Sequence, residues 1–181
     1  KAIVAAHRRF GTTSLLPTFI TGTREGMHAA VSAVQEVIDT SLFKSVLGIH
    51  FEGPFIEPSK AGVHDKKFIR PPSEADIAVV TSLKRGAVLL TLAPEVVPLD
   101  LITRLRQLGV IVSLGHSNAS AAQAHDAFAA GARCVTHLYN AMSALNSREP
   151  GLVGAALVDD DSYAGIIVDG QMSGFRIADQ R

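Results

Sequence analysis

The stretch "GIHFEGPF", residues 48–55, sets a histidine and a glutamate two positions apart in an apolar run that stops at Gly-Pro. Side chains alternate between faces in an extended strand, so His50 and Glu52 point the same way. An ionisable pair on one face of a buried-looking strand, followed at once by a break, suggests a strand that ends at a site.

Working outward, short β-rich apolar runs alternate with helical patterns. Strands are expected at 13–20, 45–51, 87–93, 110–115, 134–136 and 164–168, and helices near 24–39, 73–85, 98–108 and 119–130. Ser73 is a suitable N-cap for "SEADIAVVTSLKR", with Glu74 and Asp76 at its positive end and Lys84 and Arg85 at its negative end. The glycines of "RGA", "LGV" and "AGA" fit helix ends before the next strand. Continuous apolar strands suit a parallel sheet, and the spacing suits βαβ units in an open doubly wound sheet or a barrel.

The position of the polar residues favours the barrel. Glu52, Glu95, His116, His137 and Asp169 each fall at or just past the end of an expected strand. In a (β/α)8 barrel that rim collects catalytic groups from several strands. No glycine-rich phosphate loop supports the open alternative. Six strands are countable, whereas a complete barrel takes about 250 residues. The chain is therefore expected to be an incomplete (β/α)8 segment of about six βα units, read as one domain over residues 1–181, without the first and the final strands. "KAIVAAHRRFGTTS" reads like the end of a helix already under way, as in a segment of something longer.

Composition bounds the function. The chain is 47% hydrophobic and 19% charged, with 17 basic residues balancing 17 acidic ones. No net field favours nucleic acid or an anionic membrane, though a local site can still hold one anion. A single cysteine, Cys134, excludes an intrachain disulfide and fits a reducing cytoplasm. Neither a signal peptide nor an apolar run of membrane-spanning length is present in these residues.

Glu52, His116 and His137 form the main chemical constellation. One carboxylate and two imidazoles suit a divalent metal with a position left open for water. Position alone leaves a second reading, in which each histidine caps a strand or bonds a backbone carbonyl. His7, His28 and His125 fall on expected helices and read as solvated; Cys134 reads as a small buried hydrophobe. Ser117 lacks the G-x-S-x-G context of a nucleophile.

"GIHFEGPFIEPSKAGVHD", "TLAPE", "SLGHSNAS" and "THLYNAM…REPGLVGAAL" resemble, in order, the signatures of the N-acetylglucosamine-6-phosphate deacetylases, metal-dependent amidohydrolases built on (β/α)8 barrels. The resemblance implies metal ligation by Glu52, His116 and His137, with zinc the first candidate and ferrous or another divalent ion the alternative. It implies substrate contacts at His64 with Val63 beside it, at Asn140 and Ala141 toward a sugar phosphate, and at Asp169 and Gly170 near the substrate. Arg148 matches a phosphate-binding arginine that serves a neighbouring subunit, which implies a homodimer. His50, one layer deeper than Glu52, is expected to be a satisfied core histidine, and Glu95 to serve structure. The implied reaction is hydrolysis of N-acetylglucosamine 6-phosphate to glucosamine 6-phosphate and acetate.

Two departures stand out. The family's acid/base aspartate closes a later strand, and no residue here matches it; Asp179 is a poor substitute. Gln171 and Met172 stand where the family usually has a histidine after "DG". Taken alone, the 181 residues are expected to show little or no turnover. The alternatives are a non-catalytic sugar-phosphate-binding barrel and an amidohydrolase for another amide.

Overall fold

The computed structural model describes residues 2–40 and 44–169. The expectations at Gly170, Gln171, Met172 and Asp179 lie outside the described residues. Along the chain run α1 (Ala2–Arg8), β1 (Thr18–Ile20), α2 (Arg24–Asp39), β2 (Gly48–Glu52), α3 (Glu74–Val80), β3 (Ala87–Leu92), α4 (Leu99–Gln107), β4 (Val110–Leu114), α5 (Ala121–Ala130), β5 (Cys134–Val135), α6 (Gly151–Val158) and β6 (Tyr163–Ala164). Two single 3₁₀ turns, Pro58–Lys60 and Lys66–Phe68, lie in the loop after β2.

Among the described residues the six strands are all parallel, and their order in the sheet is their order in the sequence. A doubly wound sheet reverses direction at a switch point. No reversal occurs here, so the sheet is the arc of a (β/α)8 barrel, with β1 and β6 at its edges.

The faces of that arc differ in chemistry. Ile49 and Phe51 of β2, Val88, Leu90 and Leu92 of β3, and Val110, Val112 and Leu114 of β4 are buried in one apolar core with Met27, Ile102, Leu105 and Phe128 from the helices. The alternate positions carry Leu89 and Ile111 nearer the strand starts and His50, Glu52, Thr91 and Ser113 nearer their ends. The strands are therefore apolar toward the helices, and toward the barrel interior they turn polar at their C-terminal ends. Burial against helices fixes the register, because a one-residue slip would exchange the faces.

Capping accounts for the helix starts. Thr23 accepts from the Gly26 amide at the head of α2. Ser73 and Asp76 form a reciprocal capping box on α3, and Ser120 and Gln123 another on α5. α2 runs over the expected 24–39, but α3 ends at Val80, five residues short of expectation. There the Thr81 hydroxyl donates to the Ile77 carbonyl and the Ser82 hydroxyl to the Val79 carbonyl. Local side-chain bonds of this kind compete with continued helix. Lys84 and Arg85 consequently do not serve the end of α3; the Lys84 amide donates to Gln35 and Arg85 pairs with Asp39 of α2. The glycine of "RGA" likewise lies directly before β3, six residues past the end of α3 rather than at it.

The first strand is also shorter than 13–20. Leu15 makes only an isolated bridge with Val46, and Pro17, which has no amide to donate, separates that bridge from β1. Among the described residues, no helix is long and apolar enough to cross a membrane.

Candidate metal centre

Glu52 is the last residue of β2, and His116 and His137 each lie two residues beyond β4 and β5. One barrel rim thus collects side chains 64 and 85 positions apart in sequence. Glu52 Oε1 stands 3.0 Å from His116 Nε2 and 3.1 Å from His137 Nε2, and the two Nε2 atoms are 3.0 Å apart. The backbone is shaped to allow this. His116 and His137 have φ of 49° and 39°, in the left-handed region that costs a non-glycine residue of order 1–3 kcal/mol. Gly53, at φ 79°, turns the chain directly after Glu52, and a Cβ there would stand 2.2 Å from Thr21 Oγ1.

Proton accounting shows what the cluster is fit to hold. His116 Nδ1 lies 2.7 Å from the Lys60 carbonyl and His137 Nδ1 3.1 Å from the Asn140 carbonyl. Carbonyls only accept, so each Nδ1 carries its ring's proton and each neutral ring presents a lone pair at Nε2. Three acceptors, two nitrogens and a carboxylate oxygen, therefore meet about one hydrogen-bond length apart. A cation among them reconciles all three. One ligand atom from each of these residues lies within 4.8 Å of the others. Two nitrogens and an oxygen suit a divalent metal of the zinc type.

A proton is the competing cation. Burial pushes the Glu52 carboxyl up, but hydrogen bonds and charge from His116 and His137 outweigh burial and hold it well below the usual carboxylate range. Burial pulls His137 down, yet the bond to Glu52 and its charge leave the imidazole raised.

Beside the cluster opens a cavity of about 520 Å³. Of the expected substrate residues, Val63, His64, Asn140 and Ala141 line it. Val63 is 89% exposed at the mouth. Arg148 and Asp169 are exposed and do not line the cavity, and Gly170 lies outside the described residues. His64 is buried with its ring 4.4 Å from that of His116, centroid to centroid. The Thr21 amide donates to His64 Nδ1 at 3.4 Å, and the Thr21 hydroxyl lies 2.8 Å from the same nitrogen. Nδ1 accepting places the ring's proton on Nε2. Burial first, then the charge of His116, lowers the His64 pKa and favours this neutral form. Among the described residues, Asn140 Nδ2 is a buried donor without a partner. Such an atom costs about 1–3 kcal/mol unless a ligand or water completes it.

Supporting residues behave as their positions suggest. Glu95 accepts from the Ser117 hydroxyl at 2.7 Å and the Asn118 amide at 2.5 Å, fastening the loop that follows His116. His50 is buried between hydroxyls, Nδ1 3.0 Å from Thr18 Oγ1 and Nε2 2.8 Å from Thr91 Oγ1. Thr91 Oγ1 is 2.6 Å from Thr136 Oγ1, which is 2.7 Å from Ser113 Oγ. This chain of polar contacts joins β1, β2, β3 and β4 to Thr136, just past β5, one layer below the metal cluster. Burial lowers the His50 pKa, as suits a neutral ring bonded at both nitrogens.

Sequence reasoning missed Thr21 and Lys60. Thr21 sets the tautomer of His64, and Lys60 supplies through its main chain the acceptor for His116. The only available signal was the nearness of Lys60 to "GVHD", since a backbone acceptor leaves no mark in residue type.

No protein-family model matches the chain. It is 48% identical over 171 residues to an N-acetylgalactosamine-6-phosphate deacetylase of Shewanella sp. (strain ANA-3), covering 94% of this chain and 43% of that protein. It is 42% identical over 165 residues to an N-acetylglucosamine-6-phosphate deacetylase of Haemophilus influenzae, covering 88% and 42%. The crystal structure of N-acetylglucosamine-6-phosphate deacetylase from Pasteurella multocida superposes with a TM-score of 0.84 at 44% identity, covering 90% of this chain and 42% of that one. The chain thus spans less than half the length of these relatives. Agreement in sequence and fold, over nearly all of this chain, shows that it belongs to the family of N-acetylglucosamine- and N-acetylgalactosamine-6-phosphate deacetylases.

Proposed function

We propose that this protein hydrolyses the acetamide of N-acetylglucosamine 6-phosphate, consuming water and releasing glucosamine 6-phosphate and acetate. The observation that carries the reading is the convergence of Glu52 Oε1, His116 Nε2 and His137 Nε2, three acceptors that call for a cation. Zinc is the ion proposed, and it supplies the Lewis acidity that amide hydrolysis needs at neutral pH. His64 offers Nε2–H to the substrate's polar oxygens beside the metal site. Asn140, with Ala141 beside it on the cavity lining, is proposed to meet the sugar phosphate. Among the described residues no carboxylate besides Glu52 lines the cavity, so the group that passes water's proton to the departing amine comes from outside them.

Arg148, exposed on the 144–150 loop, is proposed to reach the phosphate in a neighbouring copy, making the working form a homodimer. Asp169 and Gly170 are proposed to border the substrate. The single cysteine suits a cytoplasmic setting. The 48% identical relative supports a second reading, in which the substrate is the galactosamine epimer. Acetate release by the full-length protein from both sugar phosphates is the test. Metal-dependent release from N-acetylglucosamine 6-phosphate is expected. Faster release from the epimer favours the second reading, and binding without release from either favours a non-catalytic sugar-phosphate binder.

A further inference from the structure

Lys60 lines the cavity, and its Nζ donates to the Met142 carbonyl at 2.9 Å. An ammonium has three donors, and this contact uses one. A carbonyl satisfies a hydrogen bond without neutralising the charge. Among the described residues no ion pair engages Lys60, although seven other basic side chains and imidazoles are so engaged, including Arg24, Arg70, Arg85 and Arg104. An unneutralised cation therefore stands in the lining, where Val63, Ile20 and Ile167 make other parts apolar.

We infer that the Lys60 ammonium is a specificity-determining contact for the anionic group of the ligand, selecting a phosphomonoester dianion over an uncharged hydroxyl. This rests on the sugar-phosphate reading of the same cavity. The remaining Nζ donors complement the acceptor oxygens of a phosphate, and a charge-assisted bond is roughly twice as strong as a neutral one. Lys60 also joins the two ends of the site, because its own carbonyl holds His116 Nδ1. The side chain can thus be changed while the residue's contribution to the metal cluster is kept.

The experiment is a binding titration of the zinc-loaded full-length protein with N-acetylglucosamine 6-phosphate and with N-acetylglucosamine, using inorganic phosphate as competitor. Lys60→Met is expected to weaken the sugar phosphate by about 10-fold or more. Binding of the unphosphorylated sugar and zinc stoichiometry should not change, and inorganic phosphate should cease to compete. Lys60→Arg is expected to recover most of the discrimination, and Lys60→Gln replaces Lys60→Met if that variant does not fold. Equal weakening of both sugars, as from a support for Met142 alone, overturns the inference, as does an unchanged preference for the phosphorylated ligand. A wild-type protein that binds no sugar phosphate overturns the proposed function itself, and this inference with it.

Discussion

Two imidazoles that spend their Nδ1 protons on carbonyls, and turn bare nitrogens toward each other and a carboxylate, make sense only around a positive charge. Replacing Glu52 by Gln or His116 by Asn removes one donor from that arrangement. Either change is expected to lower zinc affinity by at least about 10-fold, measured by competition with a chromophoric chelator. The sign of the pH dependence follows from the same geometry. Because the His137 pKa is raised, protons compete for the cluster from above the ordinary histidine range of about 6.5 downward. Zinc affinity is expected to fall as pH drops through that region, with proton uptake by the apo-protein, and a pH-independent affinity between about pH 5 and 8 would contradict this. One layer below, Thr91→Val removes the hydroxyl shared by His50 and Thr136. It should cost about 1–3 kcal/mol in denaturant unfolding, because a buried imidazole nitrogen loses its partner.

Among the elements, α3 and the loop before it depend on Asp76. Its side chain is fully buried, 3.0 Å from Arg24 Nε and 2.8 Å from Arg70 Nη2, while Arg70 also donates to the Gly22 and Phe68 carbonyls. Burial raises the Asp76 pKa, but the bonds from Arg70, Arg24 and Ser73 outweigh it and depress it well below the ordinary range. A depressed carboxylate contributes stability that is full above the unfolded value, about 4, and is lost as pH falls below it. Asp76→Asn is expected to cost about 2 kcal/mol or more at pH 7, a cost that shrinks on acidification; the partly exposed arginines keep it below that of a fully buried pair. The helices that sequence located well, α2, α4 and α5, each bury one face and expose the other, and α2 and α5 also carry a side-chain cap. α6 escaped notice because "GLVGAALV" is apolar all round and carries two glycines, so neither periodicity nor propensity marks it. It forms because the Leu152 amide finds Ser143 Oγ at 2.7 Å, the Gly151 amide finds Glu149 Oε1 at 3.0 Å, and Gly151–Ala155 are buried.

For the whole molecule, barrel winding was legible because polar residues recur at strand ends, and the sequential parallel order follows that pattern. The clustering of Glu52, His116 and His137 was legible in part, since each closes an apolar run, while their role as metal ligands was implied by the resemblance. What stayed hidden were contacts made through main-chain atoms or between distant loops: the Lys60 and Asn140 carbonyls and the Thr21–His64 pair. If metal binds the folded state alone, zinc at 100 times its dissociation constant should add about 2.7 kcal/mol to stability, read as a rise in Tm.

The most direct measurement is the anomalous diffraction of crystals of the full-length protein grown with zinc. The expected result is an ion bonded to Glu52 Oε1, His116 Nε2 and His137 Nε2 at about 2.0–2.2 Å. An ordered zinc ion elsewhere, with these three side chains still hydrogen-bonded to one another, would contradict the account.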